Sequence, residues 1–178
     1  GLPERAITTW RSHMPLLDFA AFDASGNRFA GVFTDGGLGQ GSGARGTQDG
    51  IDTGSGSEPE VTVPNIETNE LRYPWLYLFR RQAVDSAGAG MRRGGAGIEV
   101  GLVPHGVDEI ASVVLHSHGV ECPSSPPFEG GYPGSANVIG ILRNAGPTAD
   151  LDAQNGELER PPSFGRTRLG AGDVLYCL

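Results

Sequence analysis

The sequence predicts a mainly β fold, β-weighted α+β at most, in which short strands are joined by long glycine-rich loops. Glycine supplies 29 of the 178 residues and proline another 13, and both residue types favour turns over long helices. Short apolar runs recur along the chain with Gly, Pro or Asp at their ends, which is typical of strands. The hydrophobic share of 38% still permits a buried core.

The chain is predicted to be one piece of a larger subunit. Its first residue is glycine rather than methionine, and its last residues end within a predicted strand. We divide it into an opening segment with a hairpin (1–34), a glycine-rich loop (35–64) and a β-rich region (65–178). The opening residues between Pro3 and Pro15 permit a short helix, although their periodicity is poor.

A β-hairpin is the first well-defined element. Two apolar runs, Asp18–Phe22 and Arg28–Thr34, are joined by the turn-forming residues Asp23–Asn27, which is the pattern of two antiparallel strands. A loop then follows from residue 35 to about residue 60. Loops of this length are usually functional or mobile.

One or two helical turns are predicted at Pro64–Leu71, with Asn65 as the N-cap. Glu67 and Glu70 lie three residues apart and therefore share one helix face. Paired carboxylates can serve acid–base chemistry or metal binding, but at this spacing they more often line a solvated helix edge.

Five further strands are predicted from apolar runs bounded by Gly, Pro or Asp. They are Leu76–Arg81, Gly97–Val103, Ile110–His118, Asn137–Leu142 and Val174–Cys177. The segment from Arg143 to Arg160 is polar and contains the turn signal Asn155-Gly156.

Composition excludes several functional classes. The net charge of −8 argues against a nucleic-acid partner, because phosphate binding needs basic clusters. All 13 basic residues are arginine, so neither a P-loop lysine nor a Schiff-base lysine occurs here. No apolar run approaches the roughly 18 residues that a membrane span needs. Two isolated cysteines, Cys122 and Cys177, fit a reduced protein, and we expect a cytoplasmic one without membrane partners.

The segment Glu70–Gly97 is the most unusual stretch, because its glycines enclose two adjacent arginines. The candidate substrate- or anion-binding residues are Arg92, Arg93, Gly94 and Gly95. Guanidinium groups pair bidentately with planar anions, and glycine lets the backbone approach another surface closely. The alternative is a structural bend whose arginines pair with nearby acids such as Asp85 or Glu99.

His116 and His118 are the weak candidates for metal ligands. In a strand, alternation places both imidazoles on one face, and Glu121 or Cys122 would complete a site if the chain turned back. No ordinary ligand spacing supports this third ligand. Hydrogen-bonded or solvent-facing histidines are the alternative.

Five ordered motifs resemble the C-terminal half of the hydantoinase B/5-oxoprolinase family. They read GGLGQGSGARGTQDGIDT, NIETNELRYPWLYLFRR, DSAGAGMRRGGAGIEV, GGYPGSAN and PPSFGRTRLGAGDVLY. The resemblance covers the chain from about Phe22 onward, with Ala87 and Met91 departing from the arginine–glycine motif. The sequence of Tyr73–Tyr77 resembles that of the acetone and acetophenone carboxylase branch.

The resemblance implies a segment of an ATP-dependent enzyme complex, one that shapes the active site and subunit contacts. A hydantoinase A-like partner would bind ATP and Mg²⁺ and phosphorylate the substrate, a cyclic amide or a ketone. The remainder of the B-type subunit would carry a divalent metal on a His/Asp motif in the N-terminal half, so this segment would bind no metal and would be inactive alone. The alternatives are a non-catalytic scaffolding segment or a separate β-rich binding module.

Overall fold

The computed structural model describes residues 7, 16–23, 25–35, 39–53, 63–123, 126–145 and 156–178. The expected opening helix and the turn signal at Asn155 lie outside these ranges. The strands are β1 Leu16–Phe22, β2 Arg28–Phe33, β3 Trp75–Gln82, β4 Ile98–Pro104, β5 Glu109–His116, β6 Ile139–Arg143, β7 Glu157–Glu159, β8 Phe164–Gly170 and β9 Val174–Cys177, and the helix Ile66–Arg72 is α1. In this part of the chain, no helix is long and apolar enough to cross a membrane.

The predicted hairpin is confirmed, with β1 and β2 paired antiparallel. Its turn is held by Asp23, whose Oδ1 accepts hydrogen bonds from the backbone N–H groups of Ser25 (2.9 Å) and Asn27 (2.8 Å). The Asn27 side chain also donates to this carboxylate and lowers the pKa of Asp23. Gly26 takes a φ of +81°, which glycine adopts without steric cost.

Two antiparallel sheets share one hydrophobic core, which confirms the mainly β prediction. One sheet has four strands in the order β2-β1-β5-β8, and the other has five in the order β3-β4-β9-β6-β7. The core cluster contains Leu17, Phe19, Ala21, Phe33, Ile110, Val113, Leu115 and Leu169 from the first sheet, and Trp75, Ile98, Val100, Leu102, Ile139, Ile141, Leu175 and Cys177 from the second. Each sheet therefore buries one face against the other.

A bulge in β5 keeps its apolar side chains in this core. Ile110 and Val113 are three residues apart and would face opposite sides of a regular strand. Their partners on β8, Leu169 and Thr167, are only two apart, so β5 carries one extra residue between them. Ile110 and Val113 are consequently both fully buried.

The predicted helix is also confirmed, and the Asn65 side chain caps it by accepting from the Thr68 N–H at 3.0 Å. Glu67 is exposed, whereas a carboxylate oxygen of Glu70 accepts a hydrogen bond from the Tyr77 N–H at 2.9 Å. Glu70 thus ties the helix to the start of β3 rather than forming an acid pair with Glu67.

Two strands escaped the sequence prediction, and one ends earlier than predicted. β7 lies within the polar segment, and β8 reads FGRTRLG, in which exposed Arg166 and Arg168 alternate with small or half-buried residues. Neither strand has the apolar run by which the other strands were predicted. Of the residues in β8, only Leu169 is buried in the core, so the strand needs few apolar residues. β5 ends at His116, so His118 lies outside the strand.

The two cysteines lie in contrasting environments, and both are free thiols. Cys177 is buried in β9, and burial raises the pKa of its thiol to about 12. Cys122 is exposed and precedes Pro123, a residue of the cleft described below.

Candidate functional site

Three glycine-rich segments converge on one cleft of about 740 Å³. We call them the first glycine loop (39–53), the second glycine loop (83–97) and the third glycine loop (126–137). They leave β2, β3 and β5 at different points of the sequence, and each contributes lining residues. The cleft is thus built mainly from the irregular chain between the strands.

Backbone hydrogen bonds connect the three loops into one unit. The Gly95 N–H of the second loop donates to the carbonyl of Ser42 in the first loop at 2.8 Å. The Tyr132 N–H of the third loop donates to the carbonyl of Ala89 at 2.8 Å. The Ser42 hydroxyl accepts from the Ile51 N–H at 2.7 Å and so stabilises the first loop itself.

Close backbone contact explains why glycine is needed where these loops meet. A Cβ atom on Gly41 would lie 1.9 Å from the Gly95 carbonyl oxygen, and one on Gly95 would lie 2.0 Å from the Ile51 carbonyl oxygen. A Cβ on Gly88 would lie 2.5 Å from the Tyr132 carbonyl oxygen. Side chains at these positions would push the loops apart and change the shape of the cleft.

Arg93 is held by acids of the first glycine loop. Its guanidinium donates to both carboxylate oxygens of Asp52, at 2.9 and 3.3 Å, and its backbone N–H donates to Asp49 Oδ1 at 3.0 Å. The hydrogen bond from Arg93 lowers the pKa of Asp52 to about 2, assisted by the Ala96 N–H. Arg93 therefore joins the first loop to the second.

The predicted acid partners of the arginine pair are consequently not the observed ones. Glu99 instead accepts hydrogen bonds from Arg81 and from the Tyr176 hydroxyl. Asp85 occupies a turn and adopts a φ of +56°. The acids that pair with Arg93 lie about forty residues earlier in the chain, as the sequence separation of 41 between Arg93 and Asp52 shows.

Arg92 behaves differently from its neighbour. It is exposed and lines the cleft together with Gly94 and Gly95. Its side chain forms no hydrogen bond or ion pair with any residue that the structure describes. Sequence reasoning missed Arg45, which also lines the cleft; the only signal for it was its position between Ala44 and Gly46, in the GARG segment of the first loop.

A buried polar cluster fixes the start of the first glycine loop. Asp35 is fully buried, and its Oδ2 accepts from Arg80 at 2.9 Å and from the Tyr77 hydroxyl at 3.1 Å. Its backbone carbonyl accepts from the Gly39 N–H at 2.8 Å. Burial raises the pKa of Asp35, while the Arg80 hydrogen bond opposes this shift. This cluster anchors the loop to β3.

The two candidate histidines do not meet in a ligand set. His116 Nε2 lies 3.0 Å from Asp18 Oδ2, and its ring packs edge-on against Phe164. His118 is exposed, and its backbone carbonyl accepts from the Asn137 side chain. Within the described ranges, no three His, Cys, Asp or Glu side chains gather to hold a metal ion. These donors therefore do not fit the divalent metal that the resemblance implies.

The two sheets and the three loops define a β-rich domain with a cleft of a size suited to a small-molecule ligand. The family model for hydantoinase B/oxoprolinase matches residues 1–178, and the chain belongs to this family. The family resemblance of the five motifs is thereby confirmed.

A solved structure shares this fold. It is the nucleotide-free structure of acetone carboxylase, an enzyme of ATP-dependent acetone carboxylation. The two structures superpose with a TM-score of 0.73, and their sequences are 19% identical. The match covers 99% of this chain and 26% of that chain, so the present chain spans about a quarter of its length. No curated protein sequence matches the chain.

Proposed function

We propose that the chain is the C-terminal segment of a B-type subunit in an ATP-dependent complex of the hydantoinase, 5-oxoprolinase or ketone carboxylase type. Its three-loop cleft forms part of the active-site wall. Family membership and the acetone carboxylase fold support this proposal. Within the family we favour the carboxylase branch, with a ketone as substrate and a hydantoinase A-like subunit as the partner that handles ATP and Mg²⁺.

The observation that carries the proposal is the convergence of family motifs on one cavity. The first, second and third glycine loops each belong to a different motif of the sequence, and together they line the cleft. Residues that serve only turns would have no reason to converge in this way. The loops instead form one surface that a substrate can contact.

Arg92 and Arg93 have separate roles in this proposal. ATP-dependent activation of an amide or ketone oxygen gives a phosphorylated, negatively charged intermediate, and a guanidinium pairs well with such an anion. Arg92 faces the cleft and supplies this group, while Arg93 holds the loop in place through Asp52. Gly94 and Gly95 have no side chains that would fill the cleft beside Arg92.

Replacement of Arg92 by Gln in the complete subunit, assembled with its partner, tests this role. We expect substrate turnover to fall about 100-fold, the loss typical of removing one stabilising donor, while co-purification of the subunits is unchanged. The matched control is Arg166→Gln, because Arg166 is an exposed arginine of β8 outside the cleft. Unchanged turnover in the Arg92 variant would contradict the role.

A scaffolding role is the second candidate, and exposed apolar side chains at the cleft favour it. The exposed fractions are 92% for Met91, 73% for Tyr132 and 51% for Phe128. Clustered apolar side chains of this kind mark interaction surfaces. The same assay separates the candidates, because a pure scaffold predicts normal turnover in the Arg92→Gln assembly.

A further inference from the structure

We propose that the cleft contains an oxyanion subsite formed by Arg45, Arg92 and the side-chain amide of Gln40. The subsite takes the carboxylate or phosphate group of a small molecule. This inference rests on the proposed function and deepens it, because it adds two residues of the first glycine loop and names the chemical class of the ligand.

Arg45 and Arg92 differ from the arginines that hold the neighbouring loop segments in place. Arg80 is paired with Asp35 and Arg93 with Asp52. Arg45 is half-buried and Arg92 is exposed, and both line the cleft. Neither side chain has a hydrogen bond or ion pair within the described part of the chain. The cleft thus presents two guanidinium groups whose donors have no partner among the described residues.

Gln40 supplies the second, independent observation. Its Nε2 atom is shielded from solvent and has no hydrogen-bond partner among the described residues, and Gln40 lines the same cleft. An unpaired buried donor is unfavourable and points to a missing partner such as an ion or a ligand. An acceptor bound in the cleft would satisfy it.

Two other polar side chains of the cleft are already hydrogen-bonded within the protein. The Ser86 hydroxyl donates to the Ala83 carbonyl and accepts from the Gly97 N–H. The Asn137 amide donates to a backbone carbonyl. Among the described lining residues, Glu129 is the one carboxylate side chain, against the two arginines. A ligand that accepts hydrogen bonds and carries negative charge therefore fits best.

The size and lining of the cleft restrict the rest of the ligand. A volume of about 740 Å³ falls within the range of small-molecule pockets, roughly 300–1,000 Å³. Phe128, Tyr132 and Ile98 add apolar surface to the lining. We therefore assign the subsite to a small molecule with one oxyanion group and an apolar part.

Calorimetric titration of the complete subunit with inorganic phosphate and, separately, with acetate tests the subsite. We expect saturable binding of at least one probe. Arg45→Gln and Arg92→Gln should each weaken it about tenfold, the loss expected for one charge-assisted hydrogen bond. Arg166→Gln is the matched control and should bind like the unmodified protein. Thermal unfolding checks each variant, and Arg45→Lys replaces Arg45→Gln if the latter does not fold.

Binding of phosphate alone assigns the subsite to phosphoryl groups, binding of acetate alone to carboxylates, and binding of both to oxyanions in general. The inference is overturned if neither probe binds, if the cleft variants bind normally, or if the control loses binding equally. Normal anion binding with lost turnover in Arg92→Gln would remove the subsite but leave the proposed function standing. Lost binding with normal turnover would leave the subsite standing outside the reaction.

Discussion

Two arginine-containing regions of the molecule contrast with each other. At the corner of β6, Arg143 donates to Glu159 (2.7 Å), Asp173 (2.7 Å), Thr167 (2.9 Å) and the Arg168 carbonyl (2.7 Å). It thereby connects both sheets, since β6 and β7 belong to one and β8 to the other. At the cleft, the guanidinium groups of Arg45 and Arg92 have no such partners among the residues that the structure describes. The same residue type therefore serves folding where its donors are satisfied and remains available for binding where they are not.

Loss of the satisfied arginine should have the largest effect on stability. Arg143→Gln leaves the carboxylates of Glu159 and Asp173 without their cation, and the Asp173 side chain is only 10% exposed. Breaking a mostly buried ion pair costs about 3 kcal/mol, and we expect a loss of this order in urea unfolding. Replacing the exposed Arg166 by Gln should change the free energy of unfolding by no more than about 0.5 kcal/mol. Equal effects of the two changes would remove the contrast between the regions.

An added methyl group at the loop junction should have a smaller effect. Gly95→Ala places a Cβ only 2.0 Å from the Ile51 carbonyl oxygen, and overpacking of this kind costs roughly 2 kcal/mol. We expect reduced stability together with weaker phosphate binding, because the cleft wall must shift. Gly97→Ala is the control, since the nearest atom to its Cβ is the Gly39 carbonyl oxygen at 4.0 Å. If Gly95→Ala left both stability and phosphate binding unchanged, the loops would be able to move apart at little energetic cost.

The smallest expected effect is a change in one titration. Arg93 lowers the pKa of Asp52 from 3.8 to about 2, so this pair stabilises the fold above pH 3.8 and the stabilisation is lost as the pH falls towards 2. Carboxyl-carbon NMR should find the Asp52 pKa near 2, and Arg93→Gln should raise it towards 3.8. Arg92→Gln, the adjacent control, should leave it unchanged. A pKa that is the same in all three proteins would contradict the assigned pair.

Much of the fold was predictable because local patterns specify it. The turn residues Asp23–Asn27, the cap at Asn65 and the apolar run from Trp75 act over a few neighbouring residues. β7 and β8 were not predicted, because their apolar contribution to the core is limited. The order of strands within the sheets depends on pairing between distant segments, which no local pattern reveals.

The candidate site was predictable only in part. The sequence singled out the arginine–glycine segment, part of which lines the cleft, but Arg92 and Arg93 could not be told apart. Their difference depends on Asp52, which lies 41 residues before Arg93 in a loop without periodicity. Arg45 and Gln40 were missed for the same reason, since only the folded loops bring them to the cavity that Arg92 lines.

The contrast between the two cysteines offers a practical use of the native sequence. Thiol reagents attack the thiolate of an accessible cysteine, so they will modify exposed Cys122 and spare buried Cys177, whose pKa is raised to about 12. Cys122 adjoins Pro123 at the cleft. A fluorophore attached there would report on the occupancy of the cleft in the unmutated chain, without an engineered label site.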